Sequence, residues 1–251
     1  MSDDVTLSVV VPCYNEEKNI PLIVGRFREA LTRCKFSSGV EIILVDNGST
    51  DNTEVVLAEE IAKSGNRHLR VVKVAVNQGY GFGILSGLLV AKGKMLAWTH
   101  ADMQTDPYDV FRAYELYEKE KSRNSSQKII VKGRRVGRRF GEWAFTFGMS
   151  IISSTVLKSF LIDINAQPKL FPRDFFLGLK NPPHDFSLDL FLIYAAKKSG
   201  YRVKTIDVIF GKRIHGESKW AFSWSSKYKT TLRTIRYIFA LRKQLATPGA
   251  L

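Results

Sequence analysis

The sequence predicts an α/β fold with a mostly parallel central sheet and helices on both faces. Apolar runs and helical patterns alternate four times between residues 7 and 121, which is the pattern of βαβ units. The apolar runs are continuous and do not alternate with polar residues, as expected for parallel strands that are covered on both sides. The length of 251 residues suits one ordinary domain with a small appendage.

The elements follow one another along the first half of the chain. Strands with their closing turns are predicted at residues 7–15, 40–51, 69–77 and 95–102, and helices at residues 19–34, 50–65, 79–94 and 106–121. The first helix has its apolar side chains on one face, at Ile20, Ile23, Val24, Phe27 and Leu31. The fourth helix has Pro107 at its start, where a missing backbone N–H is tolerated.

The pattern changes in the second half. A strand that leads into a basic loop at residues 132–139 is followed by a mostly apolar helix at residues 141–164. Its serines and Lys158 make this helix a poor membrane span, so it either packs on the sheet or lies in a membrane interface. We predict one domain over residues 1–220 and a basic amphipathic helical tail over residues 221–251.

The formal net charge of +14 indicates an anionic partner, because it is large for this length. The positive charges concentrate in the second half, and residues 227–244 interleave lysine and arginine with apolar residues at helical spacing. Such a helix either binds an anionic membrane surface or packs on the domain with a solvated basic face. No nucleic-acid-binding module is recognisable, so we expect no nucleic-acid partner.

The N-terminus and the cysteines predict a cytoplasmic protein. The N-terminal residues are acidic and lack the basic region that precedes the apolar core of a signal peptide. Cys13 and Cys34 have no neighbouring ligands at zinc-site spacing, so we expect two reduced thiols. With a membrane-binding tail, the protein would lie peripherally at the cytoplasmic face of a membrane.

Polar clusters follow the four strands, at residues 12–17, 46–51, 77–83 and 99–106. Because ligands of such sheets bind at the carboxyl ends of the strands, we expect the clusters to converge. Taken alone, the first two clusters fit turn and capping chemistry as well as a nucleoside pocket. The glycines of the third cluster indicate a close approach of the backbone to a ligand.

The fourth cluster predicts a metal site. The carboxylate of Asp102 and the side-chain carbonyl of Gln104 are hard oxygen donors, and Mg²⁺ takes one or two such ligands together with water and substrate phosphates. A carboxylate at the end of a buried strand is unfavourable unless it is paired or bound to a metal. The alternative is a strand end followed by a helix cap at Asp106.

Taken together, the four clusters resemble the motifs of family 2 glycosyltransferases of the GT-A type, whose fold is Rossmann-like. They read P-x-Y-N-E, V-D-N-G-S-T-D, N-x-G-Y-G and A-D-M-Q-T-D-P. The likeness is greatest to the dolichol-phosphate mannose synthases and the bacterial polyprenyl-phosphate glycosyltransferases, and it covers about residues 7–220. It implies a GT-A domain over residues 1–220 that acts on a nucleoside-diphosphate sugar.

The resemblance implies a role for each matching residue. The nucleotide pocket would be lined by Pro12, Tyr14, Asn15, Glu16, Asp46, Asn77 and Gly79. Asp102 and Gln104 would bind a divalent metal, Mg²⁺ or Mn²⁺, on the donor diphosphate, which makes Asp102 catalytic. The family usually has D-x-D where this chain has His100-Ala101-Asp102, and the imidazole would favour Mn²⁺ over Mg²⁺.

In the second half, the resemblance places Asp189 near the reacting centre as a catalytic acidic residue. Lys169 matches a position of the family motif. Two residues before it, Gln167 stands where the family often has glycine. The residues expected to bind the phosphates of the donor or the acceptor are Arg134, Arg135, Lys169, Arg213, Ser218 and Lys219. Without the resemblance, Arg134, Arg135, Arg213 and Lys219 would be interpreted as residues of solvated basic loops.

The family chemistry implies transfer of a sugar with inversion at the anomeric carbon. We expect a polyprenyl phosphate as the acceptor, because a phosphomonoester with a second pKa of ~6 is already anionic and needs cations instead of a base. Two alternatives stay open. The acceptor is a sugar hydroxyl of a polysaccharide or glycan, with Asp189 as the base, or the replacement at His100 leaves a non-catalytic nucleotide-sugar-binding protein.

Overall fold

The computed structural model describes residues 5–64, 68–137, 140–215 and 224–244. The strands are β1 (Leu7–Cys13), β2 (Val40–Asn47), β3 (Leu69–Val74), β4 (Met95–Trp98), β5 (Ile129–Val136), β6 (Lys169–Pro172) and β7 (Arg202–Ile209). The helices are α1 (Ile20–Arg33), α2 (Thr53–Ser64), α3 (Tyr80–Val90), α4 (Tyr108–Arg123), α5 (Phe140–Leu157), α6 (Arg173–Leu177), α7 (Leu188–Lys198) and α8 (Trp224–Gln244). Each strand and helix predicted in the first half is confirmed, although the ends differ by a few residues.

The strands form one seven-stranded sheet in the order β3-β2-β1-β4-β6-β5-β7. β1 pairs in parallel with β2 and β4, β2 with β3, and β5 with β7, so the predicted mostly parallel sheet is confirmed. β6 is antiparallel to both β4 and β5. The sequence does not predict β6, because a strand of four residues is too short to show a period of its own.

Helices cover both faces of the sheet, as predicted. Consecutive residues of a strand point to opposite faces, and in β1 Val9 and Val11 lie in the core cluster under α1, α2 and α4. Val10 lies in the other cluster, under α3, α6 and α7. All three valines are fully buried. Each face of the sheet therefore has its own hydrophobic core, which explains why the strands are continuously apolar.

The position of β1 between β2 and β4 creates a binding crevice. The chain proceeds from β1 through β2 to β3 at one edge and then returns to the other side of β1 with β4. At such a switch point the loops after adjacent strands separate, and ligands bind in the gap between them. The loops after β1, β2 and β4 carry three of the four polar clusters, and the remaining cluster connects β3 to α3.

Two predictions for the second half are wrong in their boundaries. The basic loop begins later than predicted, because β5 continues as a strand to Val136 and carries Lys132, Arg134 and Arg135. The helix predicted at residues 141–164 ends at Leu157. That side chain is buried in the core, whereas Ile151 on the same helix is 51% exposed. Within the described ranges, no helix combines the length and the apolarity that crossing a bilayer requires.

Helix α8 packs on the domain through one face. Ile238 and Leu241 are fully buried in the core cluster that includes α7, whereas Phe239 is 55% exposed. Packing, one of the two alternatives for the tail, is therefore observed for one face of the helix. The predicted boundary between residues 220 and 221 lies outside the described residues and stays a prediction.

Candidate active site

Hydrogen bonds join the loops after β1 and β2. Asn15 has a left-handed φ of 56°, which asparagine tolerates better than most residues. Its Oδ1 accepts from the backbone N–H of Thr50 at 2.9 Å, and its own backbone N–H donates to Ser49 Oγ at 3.1 Å. Asp46 accepts from the backbone N–H of Ser49 at 3.0 Å. These contacts hold the two loops together at the carboxyl edge of the sheet, as the strand order predicts.

Glu16 connects the first cluster to the fourth. Its carboxylate accepts from Asn19 Nδ2 at 2.5 Å. Burial raises the pKa of Glu16, and the negative charge of Asp102 raises it further. Burial, followed by the charges of Glu16 and Asp46, also raises the pKa of the Cys13 thiol. Asp102 therefore lies near Glu16, and Glu16 and Asp46 both lie near Cys13, so the predicted convergence is confirmed for these three clusters.

The glycine-led start of α3 approaches the chain's own backbone. Gly79 has a φ of 114°, and a Cβ atom there would lie 2.6 Å from the carbonyl oxygen of His184. Asn77 Oδ1 accepts from the Gly79 N–H at 2.8 Å, and Asn47 Nδ2 donates to the Gly79 carbonyl at 3.0 Å. The sequence predicts a close approach of this backbone to a ligand. In the structure, the backbone at Gly79 instead approaches the chain's own backbone at His184. A nucleotide contact of Asn77 or Gly79 stays a prediction.

Asp102 and Gln104 point their oxygen atoms at one guanidinium group. Asp102 is 4% exposed, and its Oδ2 lies 3.0 Å from Arg213 Nη2. Arg213 Nε also donates to Gln104 Oε1 at 3.3 Å. Burial alone would raise the pKa of Asp102, but the neighbouring His100 and Arg213 outweigh it and lower that pKa. The two predicted metal ligands therefore contact the same side chain, and their role as metal ligands stays a prediction. The capping alternative also holds, because Asp106 Oδ1 accepts from the Tyr108 N–H at 2.9 Å.

His100 contacts a tyrosine on α3. Its Nε2 lies 3.0 Å from Tyr80 Oη, and its Nδ1 lies 3.8 Å from Asp102 Oδ2. The Tyr80 ring stacks on Phe186, with centroids 4.7 Å apart and an interplanar angle of 13°. Gln167 Nε2 donates to Tyr80 Oη at 3.2 Å. The histidine that replaces the usual first aspartate is thus held by a hydrogen-bonded tyrosine.

Asp189 and Lys169 form a buried ion pair. Lys169 Nζ lies 2.6 Å from Asp189 Oδ1, and the side chains are 0% and 3% exposed. The same carboxylate oxygen accepts from Gln167 Nε2 at 2.9 Å, and Lys169 also donates to the Ala166 carbonyl at 2.8 Å. Burial lowers the pKa of Lys169, and the charge of Asp189 opposes that shift.

A second buried group of charges lies along β5. Arg135 donates to Asp163 through Nε at 2.8 Å and through its backbone N–H at 2.7 Å, and its Nη2 contacts the same carboxylate. Lys132 is 4% exposed, and its Nζ donates to the carbonyls of Gly133 and Asp163, both at 2.9 Å. Burial, followed by the positive charge of Lys169, lowers the pKa of Lys132 to about 7.

Three of the remaining predicted residues lie in the described ranges, and two do not. Pro12 lies within β1 opposite Val45, and Tyr14 after it is half-buried. Arg134 Nε lies 2.6 Å from Asp207 Oδ1 on the neighbouring strand β7, so this predicted phosphate ligand is paired with a carboxylate. Ser218 and Lys219 lie outside the described residues.

Sequence reasoning overlooks two residues near the site. Tyr80 lies inside the N-x-G-Y-G motif, but glycines dominate that motif and the phenol receives no role. Lys132 lies within the basic loop predicted at residues 132–139, but its burial is not predicted. It follows three consecutive apolar residues of β5, and this unusual position for a lysine is the signal that could have identified a buried cation. Both residues belong to the hydrogen-bonded groups around Asp189 and Asp163.

The fold and the site define a class of protein. An open, mostly parallel sheet with carboxylates, amides and cations at its switch point is the architecture of α/β proteins that bind nucleotides. The chain belongs to one family of this class: the model of Glycosyl transferase family 2 matches residues 8–176. The resemblance expected from the sequence is therefore confirmed.

The relatives include transferases that act on lipid phosphates. A dolichyl-phosphate beta-glucosyltransferase of Dictyostelium discoideum is 25% identical over 250 residues, which cover 95% of this chain and 76% of that protein. An undecaprenyl-phosphate 4-deoxy-4-formamido-L-arabinose transferase of Pectobacterium atrosepticum is 30% identical over 225 residues, or 88% of this chain. The chain spans 65% of the length of that relative.

A solved structure supports the fold. Glucosyl-3-phosphoglycerate synthase from Mycobacterium tuberculosis, crystallised with Mn²⁺, UDP-glucose and phosphoglyceric acid, superposes with a TM-score of 0.68. The two sequences are 16% identical, and the match covers 95% of this chain and 80% of the other. The predicted GT-A type of fold is therefore confirmed.

Proposed function

We propose that this chain transfers a sugar from a nucleoside-diphosphate sugar to the phosphate of a polyprenyl phosphate, with inversion at the anomeric carbon. The observation that carries the proposal is the state of Asp189, whose buried carboxylate is bonded to Lys169 and Gln167. A carboxylate held by a buried ammonium group is a weak base, so a hydroxyl acceptor would lack an effective base there. A phosphate acceptor needs no base, because it is largely anionic at neutral pH.

The relatives support this choice of acceptor. Two of them are named for transfer that involves dolichyl phosphate or undecaprenyl phosphate. Both lipids present a phosphate on an isoprenoid chain. Since the identities are 25% and 30%, the acceptor of this chain is a proposal that rests on the site as much as on the relatives.

We expect the acceptor phosphate to meet cations on β5. Arg135 is the candidate for direct contact, because its side chain keeps 13% of its surface exposed while Asp163 holds it in place. Lys132 and Lys169 are buried, so they would support the site from beneath. Lys219 and Ser218, in the segment that precedes α8, remain candidate ligands of the acceptor or donor phosphate.

A divalent cation, Mg²⁺ or Mn²⁺, fits the position that Arg213 now occupies. Asp102 Oδ2 and Gln104 Oε1 already face one guanidinium group there, so their spacing suits a shared cation. Bound at this position, the metal would neutralise the charge that develops on the leaving diphosphate. Arg213, once released, could pair with the diphosphate itself.

The donor nucleotide would bind in the crevice beside β1. Tyr14 offers an aromatic surface, and the carboxylates of Glu16 and Asp46 can accept hydrogen bonds from a base or a ribose. Asn15, Asn77, Pro12 and Gly79 would shape this pocket through the turns that they form. Arg134 would contribute long-range attraction only, because Asp207 holds it.

A membrane surface would bring the lipid acceptor to this site. Exposed apolar side chains lie on α5 and directly after it, and we call them the α5 surface: Phe147, Ile151, Phe160 and Ile162. Lys197 lies over the ring of Phe160 at 5.8 Å. A surface of apolar side chains and cations is suited to anionic lipid. The proposed location is peripheral, at the cytoplasmic face of a membrane. The proposed GT-A domain covers residues 1–220, and the proposed membrane-facing tail covers residues 221–251.

The test compares two lipid acceptors that differ only in the phosphate. Radiolabelled UDP-, GDP- and CDP-sugars are incubated with the full chain, Mg²⁺ or Mn²⁺, and detergent micelles of either undecaprenyl phosphate or undecaprenol. We expect organic-soluble label with the phosphate lipid alone, with one nucleoside class, and none after EDTA is added. Equal transfer to undecaprenol would contradict the proposal.

A second candidate function is transfer to a glycan hydroxyl. The observation that favours it is the carboxylate of Asp189, which could act as the base for a hydroxyl acceptor. In that case, glycan acceptors would be labelled and undecaprenyl phosphate would not. A non-catalytic binder would show thermal stabilisation by one sugar nucleotide without transfer to any acceptor and without donor hydrolysis.

A further inference from the structure

The chain departs from the motifs that it resembles at two positions, and hydrogen bonds connect them. His100 stands in place of an aspartate, and Gln167 stands where glycine is frequent. Gln167 Nε2 donates to Tyr80 Oη at 3.2 Å, and Tyr80 Oη lies 3.0 Å from His100 Nε2. These two replacements therefore meet at one phenol hydroxyl.

The carboxylate at the far end determines the direction of these hydrogen bonds. Asp189 is ion-paired with Lys169 at 2.6 Å, so its oxygen accepts, and an N–H of Gln167 must face it at 2.9 Å. The second N–H of the same nitrogen is directed to Tyr80 Oη. Burial raises the pKa of Tyr80 well above its ordinary range, so the phenol keeps its proton. It accepts from Gln167 and has one proton to donate, and two acceptors are within reach: His100 Nε2 at 3.0 Å and the carboxylate of Asp189. Because Lys169 and Gln167 already donate to that carboxylate, the phenol proton is directed to the imidazole.

The other ring nitrogen of His100 leads to the same assignment. Nδ1 faces Asp102 Oδ2 at 3.8 Å. A proton on Nδ1 is attracted by that carboxylate, whereas a lone pair would be repelled. Since the hydrogen bond at one ring nitrogen determines which nitrogen carries the proton, we infer that His100 is held as the Nδ1–H tautomer and positions Asp102, and that it is not a metal ligand.

The Nδ1–H tautomer leaves His100 without a free ring nitrogen for a metal. A neutral imidazole has one lone pair in the ring plane, and the Tyr80 hydroxyl occupies it. A cation at Asp102 would then receive oxygen ligands from Asp102, Gln104 and the donor diphosphate. An all-oxygen site does not favour Mn²⁺ over Mg²⁺ in the way that an imidazole ligand would.

The tautomer is measured on the full chain without metal or donor, so this test stays independent of the proposed function. Two-dimensional ¹H–¹⁵N spectra of protein labelled with ¹⁵N-histidine distinguish the protonated ring nitrogen from the unprotonated one. The chain has four histidines, and the signal that is lost in His100→Asn belongs to His100. We expect a protonated Nδ1 and an unprotonated Nε2 at pH 8. An Nε2–H pattern, which would arise if Tyr80 donated to Asp189 instead, overturns the inference.

A matched pair of variants tests the role of Tyr80. Tyr80→Phe keeps the ring that stacks on Phe186 and removes the hydroxyl, so the Nε2–H fraction of His100 should rise. Tyr108→Phe removes a phenol hydroxyl from a ring that packs on Phe111, and it should leave the spectrum of His100 unchanged. An unchanged His100 spectrum in Tyr80→Phe would show that Tyr80 does not position the ring.

Mn²⁺ alone tests whether His100 is a ligand. Pulsed electron paramagnetic resonance detects the nitrogen coupling of an imidazole that is bound directly to Mn²⁺. We expect no such coupling from His100, so the spectra of the wild type and His100→Asn should agree. A direct coupling that is present in the wild type and disappears in the variant overturns the inference.

Discussion

Two buried carboxylates of the site, Asp102 and Asp189, differ in what neutralises them. Asp102 faces Arg213, whose side chain is 27% exposed, so solvent and ligands can reach this cation. Asp189 faces Lys169, which is fully buried and also bonded to a backbone carbonyl. A partly exposed partner can be exchanged for another cation, whereas removal of a buried partner leaves an uncompensated charge. The first pair is therefore suited to ligand exchange and the second to a fixed structural role.

The role of Asp102 predicts the effect of replacing it. Asp102→Asn keeps the size of the side chain but removes the charge that would hold a divalent cation. Transfer activity should fall by about 10²-fold or more, and Mn²⁺ binding measured by calorimetry should weaken in parallel. Asp106→Asn is the control, because this exposed residue caps α4 and its amide oxygen can still accept the hydrogen bond. Equal loss in both variants would mean that the effect is not specific to Asp102.

Lys132 predicts a pH dependence of stability. Its pKa is lowered to about 7 in the folded protein, while an unfolded lysine titrates near pH ~10.4. Below pH 7 both states carry the charge, and the cost of burying it is present in full. Between the two pKa values the unfolded state binds more protons, so the free energy of unfolding rises with pH in that window.

Lys132→Met removes this titration. The free energy of unfolding of the wild type minus that of the variant should grow by about 3 kcal/mol from pH 6 to pH 9. Urea denaturation at the two pH values measures it. Lys119→Met, at an exposed position on α4, is the control for the loss of a lysine from the surface. A constant difference for Lys132→Met would mean that the buried amine titrates normally.

At the scale of elements, α8 predicts a contrast between its two faces. Leu241 is fully buried among residues of the second core cluster, so Leu241→Ala should destabilise the protein by about 3 kcal/mol. Phe239 is 55% exposed, and Phe239→Ala should change stability by about 0.5 kcal/mol or less. Urea denaturation of both variants measures the contrast. A detached tail would make both substitutions neutral.

The elements that the sequence predicts well are those with local signals. β1, β2 and β4 are continuous apolar runs followed by polar turns, and the carboxyl-edge rule brings Glu16, Asp46 and Asp102 together without knowledge of the structure. β6 has no such signal, yet its antiparallel pairing with β4 and β5 is what places Lys169 beside Lys132. The ion pair of Lys169 with Asp189 on α7 depends on that long-range pairing. Residue spacing therefore predicts the proposed donor side of the site better than the proposed acceptor side.

At the scale of the whole molecule, charge and apolar surface coincide in the second half of the chain. The net charge is +14 after all acidic residues are counted, so cations outnumber the carboxylates available for ion pairs such as those of Arg134 with Asp207 and Arg135 with Asp163. The α5 surface adds apolar side chains that are each at least 44% exposed. Electrostatic attraction brings such a protein to anionic lipid, and apolar contact then holds it there.

Two contributions to membrane binding predict two separable effects. Raising the salt concentration should weaken binding to vesicles of anionic lipid, because exposed charges are screened beyond about 10 Å at 0.1 M salt. The double variant Ile151→Ser, Phe160→Ser keeps the net charge and removes apolar area. Binding should fall about 100-fold at every salt concentration, since burial of each of the two large apolar side chains contributes about 1.5 kcal/mol or more.

Leu89→Ser is the matched control for this measurement. Leu89 lies on α3 and is 72% exposed, so it has the same chemistry outside the α5 surface. Vesicle co-sedimentation of the three proteins should therefore give the wild-type affinity for Leu89→Ser and a loss for the double variant only. If both variants lost affinity equally, membrane binding would depend on general surface hydrophobicity, and the α5 surface would have no specific part in bringing the acceptor lipid to Arg135.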